Sequence, residues 1–137
     1  IQFDEDNLTI CADPRQIEEV LVNIVCNAET AMRLAHGAGT LTIVLHHQKD
    51  TAMIEFHDSG PGIPEAYLDR IFDPFFTTRD VGQGTGLGLS ICHGIVTEHG
   101  GRIWALNNSV GGATITVELP LKAKPTSRTG TVADSYC

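Results

Sequence analysis

The chain has 137 residues, 42% hydrophobic and 19% charged, which is enough for one domain with its own core. Its formal net charge is −8 and it carries no basic stripe, which argues against nucleic acid and against an anionic membrane surface as partners. No apolar run reaches membrane-spanning length, no signal peptide is visible, and Cys11, Cys26, Cys92 and Cys137 lack metal-ligand spacing, so they read as reduced, structural thiols of a cytosolic domain.

The chain opens on Ile1 rather than Met, which reads as a fragment of a longer protein. Residues 1–4 and 8–11 suggest two short strands around a turn at Glu5, Asp6 and Asn7. Asp13 and Pro14 then open a helix, an N-cap followed by the first helical position. Ile17, Val20, Leu21, Ile24, Val25 and Ala28 recur with helical spacing, and the helix should run to about Leu34, before the break at Gly37 and Gly39. Asn23 and Asn27 lie four apart, on one side of it. Asparagine is a mediocre helix former, so two beside a strongly apolar face need a reason.

Residues 40–47 and 51–57 read as antiparallel strands, joined by a short turn at 48–50. Asp58-Ser-Gly60-Pro-Gly62-Ile63-Pro64 follows, an acid at a strand end with two glycines that let a flat ring approach. Residues 65–71 suggest a short helix. Phe72, Phe75 and Phe76 around Pro74 form an apolar knot, and Arg79 is a candidate phosphate cation. Residues 82–90, GQGTGLGLS, place four glycines before an amphipathic run. Such a loop presents backbone N–H groups at a positive helix end, which suits phosphate. It is not a P-loop, because no Gly-Lys-Ser/Thr follows, and the spacing does not fit a dinucleotide fingerprint. A chain this acidic has few cations for a polyphosphate, so backbone dipoles and a metal ion must supply the positive charge. A helix over about 86–99 should stop at Gly100 and Gly101. Residues 102–106 and 113–119 read as a hairpin around 107–112, and 121–137 as a linker or tail beyond a domain spanning 1–120.

These stretches together resemble the ATP-binding catalytic domain of two-component sensor histidine kinases. QIEEVLVNIVCNAETA (16–31) looks like their N box, DSGPGIP (58–64) their Asp-x-Gly-x-Gly motif, FDPFFTTR (72–79) their F box and GTGLGLSI (84–91) their second glycine box. GGRIWALNNSVGGATITVELP (100–120) is similar to their closing hairpin. Order and spacing fit, and the likeness covers about residues 1–120. It implies an α+β, two-layer sandwich of the Bergerat type: a mixed, mostly antiparallel sheet with about three helices on one face. It also implies a short lid over about 72–86, as in nitrogen-regulation-type and hybrid kinases.

The resemblance assigns roles residue by residue. Asn27 would ligate Mg²⁺ through its side-chain oxygen, and Asn23 would help position the metal or its waters. Asp58 would accept the adenine amino proton, with Thr114 joining through water. Gly60, Gly62 and Ile63 would shape the adenine slot, with Phe75 in the segment that borders it. Arg79 and the stretch Gly84, Thr85, Gly86, Leu87 and Gly88 would hold the phosphates. Thr30 stands where many members carry a Lys or Arg aimed at phosphate. The implied partners are ATP and ADP, the helical dimerisation and phosphoacceptor domain of the same protein, and a response regulator or receiver domain. A gyrase- or chaperone-like ATPase is the rival; such enzymes place a glutamate base one turn before the metal asparagine, where this chain has Asn23. A nucleotide-sensing module without kinase activity is the second rival. His36, His46, His47, His57, His93 and His99 all lack the family's acceptor context and read as structural.

Overall fold

A computed structural model describes residues 2–3, 9–77 and 85–121. Helix α1 (Pro14–His36) begins where the sequence places it. Asp13 adopts extended backbone and its Oδ1 accepts from the Arg15 N–H at 2.8 Å, satisfying one of the donors that a helix start leaves unpaired. Gly37, in left-handed conformation, closes the helix by donating to the Arg33 carbonyl, and Arg33 and His36 in the last turn complement the dipole. Val20, Ile24, Ala28 and Met32 form the buried stripe.

Strands β2 (Leu41–Gln48) and β3 (Thr51–Asp58) pair antiparallel across a two-residue turn, in which Lys49 takes a φ of 55°. Strands β4 (Arg102–Asn107) and β5 (Ala113–Pro120) form the closing hairpin, and β5 pairs with β3. A two-residue strand, β1 (Gln2–Phe3), runs parallel to β2. The sheet order is therefore β1-β2-β3-β5-β4, mixed and mostly antiparallel.

Helix α1 and helix α2 (Gly88–Glu98) pack against each other and against one face of this sheet. Phe56, Ile115 and Val117 rise from the strands to meet Val20 and Ile24 of α1 and Cys92, Ile95 and Val96 of α2. Apolar residues at alternate strand positions thus face the two helical stripes, which is what makes a two-layer sandwich.

Three local expectations change. The two N-terminal strands do not pair around a turn: β1 joins β2, and Ile10 makes a single antiparallel bridge to Leu121, while residues 4–8 lie outside the described set. Leu121 also donates to the Asp50 carbonyl at 2.7 Å, so the fold holds the chain one residue past Pro120. Residues 65–71 form one 3-10 turn, Glu65–Tyr67, followed by overlapping turns; Pro64 starts it, and Leu68, Ile71 and Phe72 then pack on the core. Finally, α2 starts at Gly88, so Gly86, with a φ of 65°, and Leu87 belong to the loop before it.

Candidate nucleotide site

Between α1, the end of β3 and the start of α2 lies a cavity of about 790 Å³, of the size that takes a small organic ligand. Asn23 and Asn27 of α1 line it on one side. Their four-residue spacing stacks them on one flank of the helix, beside the buried stripe. Thr85, Gly86 and Gly88, leading into α2, line it opposite. A side-chain carbon on Gly88 would lie 3.6 Å from both Asn23 Oδ1 and Asn27 Nδ2, so the α2 N-terminus and the two carboxamides face each other. The N-cap residue Leu87 makes no side-chain cap bond, while the Thr85 hydroxyl accepts from the Leu87 N–H at 3.3 Å, and the helix start carries a positive dipole end.

Asp58 forms the other pole. It ends β3, is only 8% exposed and lines the cavity. Its Oδ1 accepts from the Gly60 N–H at 2.8 Å and the Ala113 N–H at 3.1 Å, which fixes the carboxylate in place. Gly112 allows this approach, since a Cβ there would collide with the Asp58 carbonyl. Pro61, Gly62, Ile63 and Pro64 form the wall beside it, and Ile24, Phe56 and Ile115 add apolar surface. The cavity thus has an apolar slot with one buried carboxylate at one end, and carboxamides and a helix N-terminus at the other. That division suits a heteroaromatic base joined to phosphates.

Asn23, Asn27, Asp58, Gly62, Ile63, Thr85, Gly86 and Gly88 all line this cavity. Gly60 acts one step back, through its N–H to Asp58, and Leu87 sits at the N-cap of α2. Thr114 and Phe75 are not among the lining residues. Thr114 points to the opposite sheet face, where its hydroxyl lies 2.8 Å from His57 Nδ1; Ala113 and Ile115 face the cavity instead. Strand alternation is the reason, and the parity of Ile115, Val117 and Leu119 already signals it. Phe75 is 76% exposed, with a φ of 65° and its N–H donating to the Gly86 carbonyl, while its neighbour Phe76 lines the cavity and packs edge-on to Tyr67. Arg79 and Gly84 lie outside the described residues. Thr30 lines the cavity, but its hydroxyl donates back to the Cys26 carbonyl at 2.8 Å.

The donor set fits Mg²⁺ only as a partner of bound phosphates. Asn23 and Asn27 offer hard carboxamide oxygens, and no group of three His, Cys, Asp or Glu able to hold a metal exists among the described residues. A hard cation there takes most of its ligands from phosphate and water.

Sequence reading missed Asn107 and Asn108, which it placed simply in a hairpin turn, and missed Cys92 as a neighbour of the site. Cys92 is fully buried where α2 meets α1. Burial pushes its thiol from 9.0 up to about 11, with a hydrogen bond to the Asn23 side chain pulling the other way.

Residues 12–123 match the family described as histidine kinase-, DNA gyrase B- and HSP90-like ATPase, and the chain belongs to that family. Its relatives are sensor kinases. It is 37% identical over 132 residues to the sensor kinase CckA of Brucella abortus, a match covering 88% of this chain and 14% of that protein. It is 41% identical over 112 residues to the two-component sensor PprA of Pseudomonas aeruginosa, covering 79% and 12%. Among solved structures, the catalytic domain of the histidine kinase ThkA in a nucleotide-free form superposes with a TM-score of 0.74 at 40% identity, covering 85% of this chain and 75% of that one. Full-length ShkA in complex with AMPPNP gives 0.72 at 27% identity, covering 84% and 23%. The chain therefore spans a small part of these sensor proteins and most of the ThkA catalytic domain.

Proposed function

We propose that this domain binds Mg·ATP in the cavity and supplies the γ-phosphoryl group for transfer to a histidine on a separate helical dimerisation and phosphoacceptor domain of a longer sensor kinase. Asp58 holds the adenine amino group. The Asn23–Asn27 flank and the α2 N-terminus hold the triphosphate. Mg²⁺ bound with the nucleotide would neutralise phosphate charge, and Asn27 would be the protein group that holds it. In the transfer, an imidazole nitrogen forms a bond to the γ-phosphorus while the bond to the β-phosphate oxygen breaks, and ADP leaves. The domain's part is positioning and charge neutralisation. A response regulator or receiver domain then takes the phosphoryl group from the histidine.

The observation that carries this reading is that Asp58 and Asn27 line one cavity, with the start of α2 beside Asn27. Asn23 supports the kinase over a hydrolytic ATPase, because a carboxamide cannot serve as the base that activates water. The test is nucleotide selectivity by calorimetry. Adenine offers an exocyclic amine where guanine has a carbonyl, which would face the Asp58 carboxylate. ATP and ADP should bind more tightly than GTP by about 1–3 kcal/mol, the cost of an unmet buried polar group. Asp58→Ala should abolish that preference. Equal ATP and GTP affinities in the unmodified domain would refute the assignment.

A further inference from the structure

The β4–β5 hairpin carries two consecutive asparagines: the Asn107 side chain leaves the hairpin for the loop at Ile63, and the Asn108 side chain joins Asp58 to the hairpin's own turn. Asn107 Oδ1 accepts from the Ile63 N–H at 2.7 Å, and Asn107 Nδ2 donates to the Ile63 carbonyl at 2.7 Å. One carboxamide thus pairs with both backbone groups of a single residue, as a neighbouring strand would. Ile63 lies in the loop 59–64, whose backbone has no strand partner beyond Ser59. Among the described residues, the hydrogen bonds shown for the Ile63 N–H and carbonyl are those to Asn107. Gly62 is fitted to the same contact: with a φ of 74°, it leaves open a space where a Cβ would lie 2.9 Å from Asn107 Oδ1 and from the Gly111 carbonyl.

Asn108 joins the Asp58 strand end to the turn. Its Nδ2 donates to the Asp58 carbonyl at 2.9 Å and the Ala113 carbonyl at 3.2 Å, while its Oδ1 accepts from the Gly112 and Val110 N–H groups at 2.9 and 3.2 Å. Both donors and the acceptor of this carboxamide are used, between the end of β3 and the start of β5. Those two strand ends carry Asp58 and Ala113. Asn108 is woven into the turn itself, whereas Asn107 is exposed at a strand end and its side chain bonds the backbone of Ile63 in the loop.

We infer that Asn107 is a positioning residue for nucleotide binding: it sets the distance between the loop wall at Gly62–Pro64 and the Asp58 pole, and so presets the width of the base slot. The inference rests on the proposal that adenine occupies this end of the cavity. It needs no contact between Asn107 and the ligand, because the residue acts through the Ile63 backbone. A slot held open at one width does not have to be ordered when the base enters, and that ordering cost otherwise weakens affinity.

The test measures adenosine and Mg·ATP affinity on the same domain. Asn107→Ala should weaken both by the same factor, about five- to twentyfold, because only the base side is disturbed. Amide exchange at Ile63 should accelerate while exchange in α1 and β5 stays slow; a loss of general stability would speed all three. Asn107→Asp keeps the shape and the acceptor but sets a carboxylate oxygen against the Ile63 carbonyl, and should give the same loss. In the unmodified protein, the Asn107 carboxamide resonances should shift on adding adenosine. Unchanged adenosine affinity in both folded variants, or a loss for ATP much larger than for adenosine, overturns the inference. Failure of the unmodified domain to bind adenosine or ATP overturns the nucleotide reading itself, which separates the two outcomes.

Discussion

Cys92 shows how one buried atom links the core to the site. It touches the Asn23 side chain, and its thiol is held neutral by burial. The folded-state value lies above the unfolded one, so the contribution is complete below pH 9.0 and is lost as pH rises toward about 11. Two pH units correspond to about 2–3 kcal/mol. Urea unfolding at pH 8 and pH 11 should show the unmodified protein losing about that much more stability than Cys92→Val. Equal losses would mean that Cys92 is not desolvated. Cys26, exposed and lining the cavity, makes a useful contrast, because the same residue type in one helix layer is inert at one position and accessible at the other.

At the scale of elements, α1 serves core and cavity together, since its stripe supplies Val20 and Ile24 to the core and its flank supplies Asn23 and Asn27 to the cavity. Its start is doubly fixed. Asp13 caps it through the side chain, and the Asp13 N–H donates to His99 Nε2 at 3.1 Å, tying the α1 start to the residue after α2. His99 Nδ1 in turn lies 2.8 Å from the Ile95 carbonyl, which sets the tautomer with its proton on Nδ1. Asp13→Ala should cost about 1 kcal/mol in equilibrium unfolding, the usual value of an N-cap, and Asp13→Ser should recover most of it. A neutral Asp13→Ala would show that Pro14 and His99 alone define the helix start. The glycine-rich stretch works at this scale too. The Phe75 N–H bonds to the Gly86 carbonyl, so the residues that enter and leave the 78–84 segment are held together.

For the whole molecule, the placement of the histidines matters most. None of the described histidines lines the cavity: His57 faces the opposite sheet surface, bonded to Glu55 and Thr114, and His93 packs beside Phe72 on the outer side of α2. Under the proposed function, the acceptor therefore comes from another domain. Incubated with γ-labelled ATP and Mg²⁺, this chain alone should bind nucleotide and stay unlabelled. Addition of the helical acceptor domain of its own parent protein should yield label on that domain, stable to base and lost in acid. Stoichiometric label on this chain, removed by replacing one of its histidines, would refute the division of labour. No helix among the described residues is long and apolar enough to cross a membrane.

The sequence by itself determined the elements with strong periodicity, α1 and the two hairpins, because helical and strand spacing are local properties. It also singled out Asn23, Asn27, Asp58, Gly62, Gly86 and Gly88, which line one cavity, because motif spacing survives in one dimension. What it left undecided depended on which residues meet across the fold. The choice between Ala113 and Thr114, or between Phe76 and Phe75, turns on strand parity and on one positive φ. The partner of β1 and the bridge from Ile10 to Leu121 join segments far apart in the chain. Asn107 and Asn108 read as ordinary turn residues until Ile63 and Asp58, 44 and 50 positions away, are brought beside them. A carboxamide has the same propensities whether it faces water or another backbone, so only the tertiary structure could reveal that these two bond the backbone of Ile63 and Asp58.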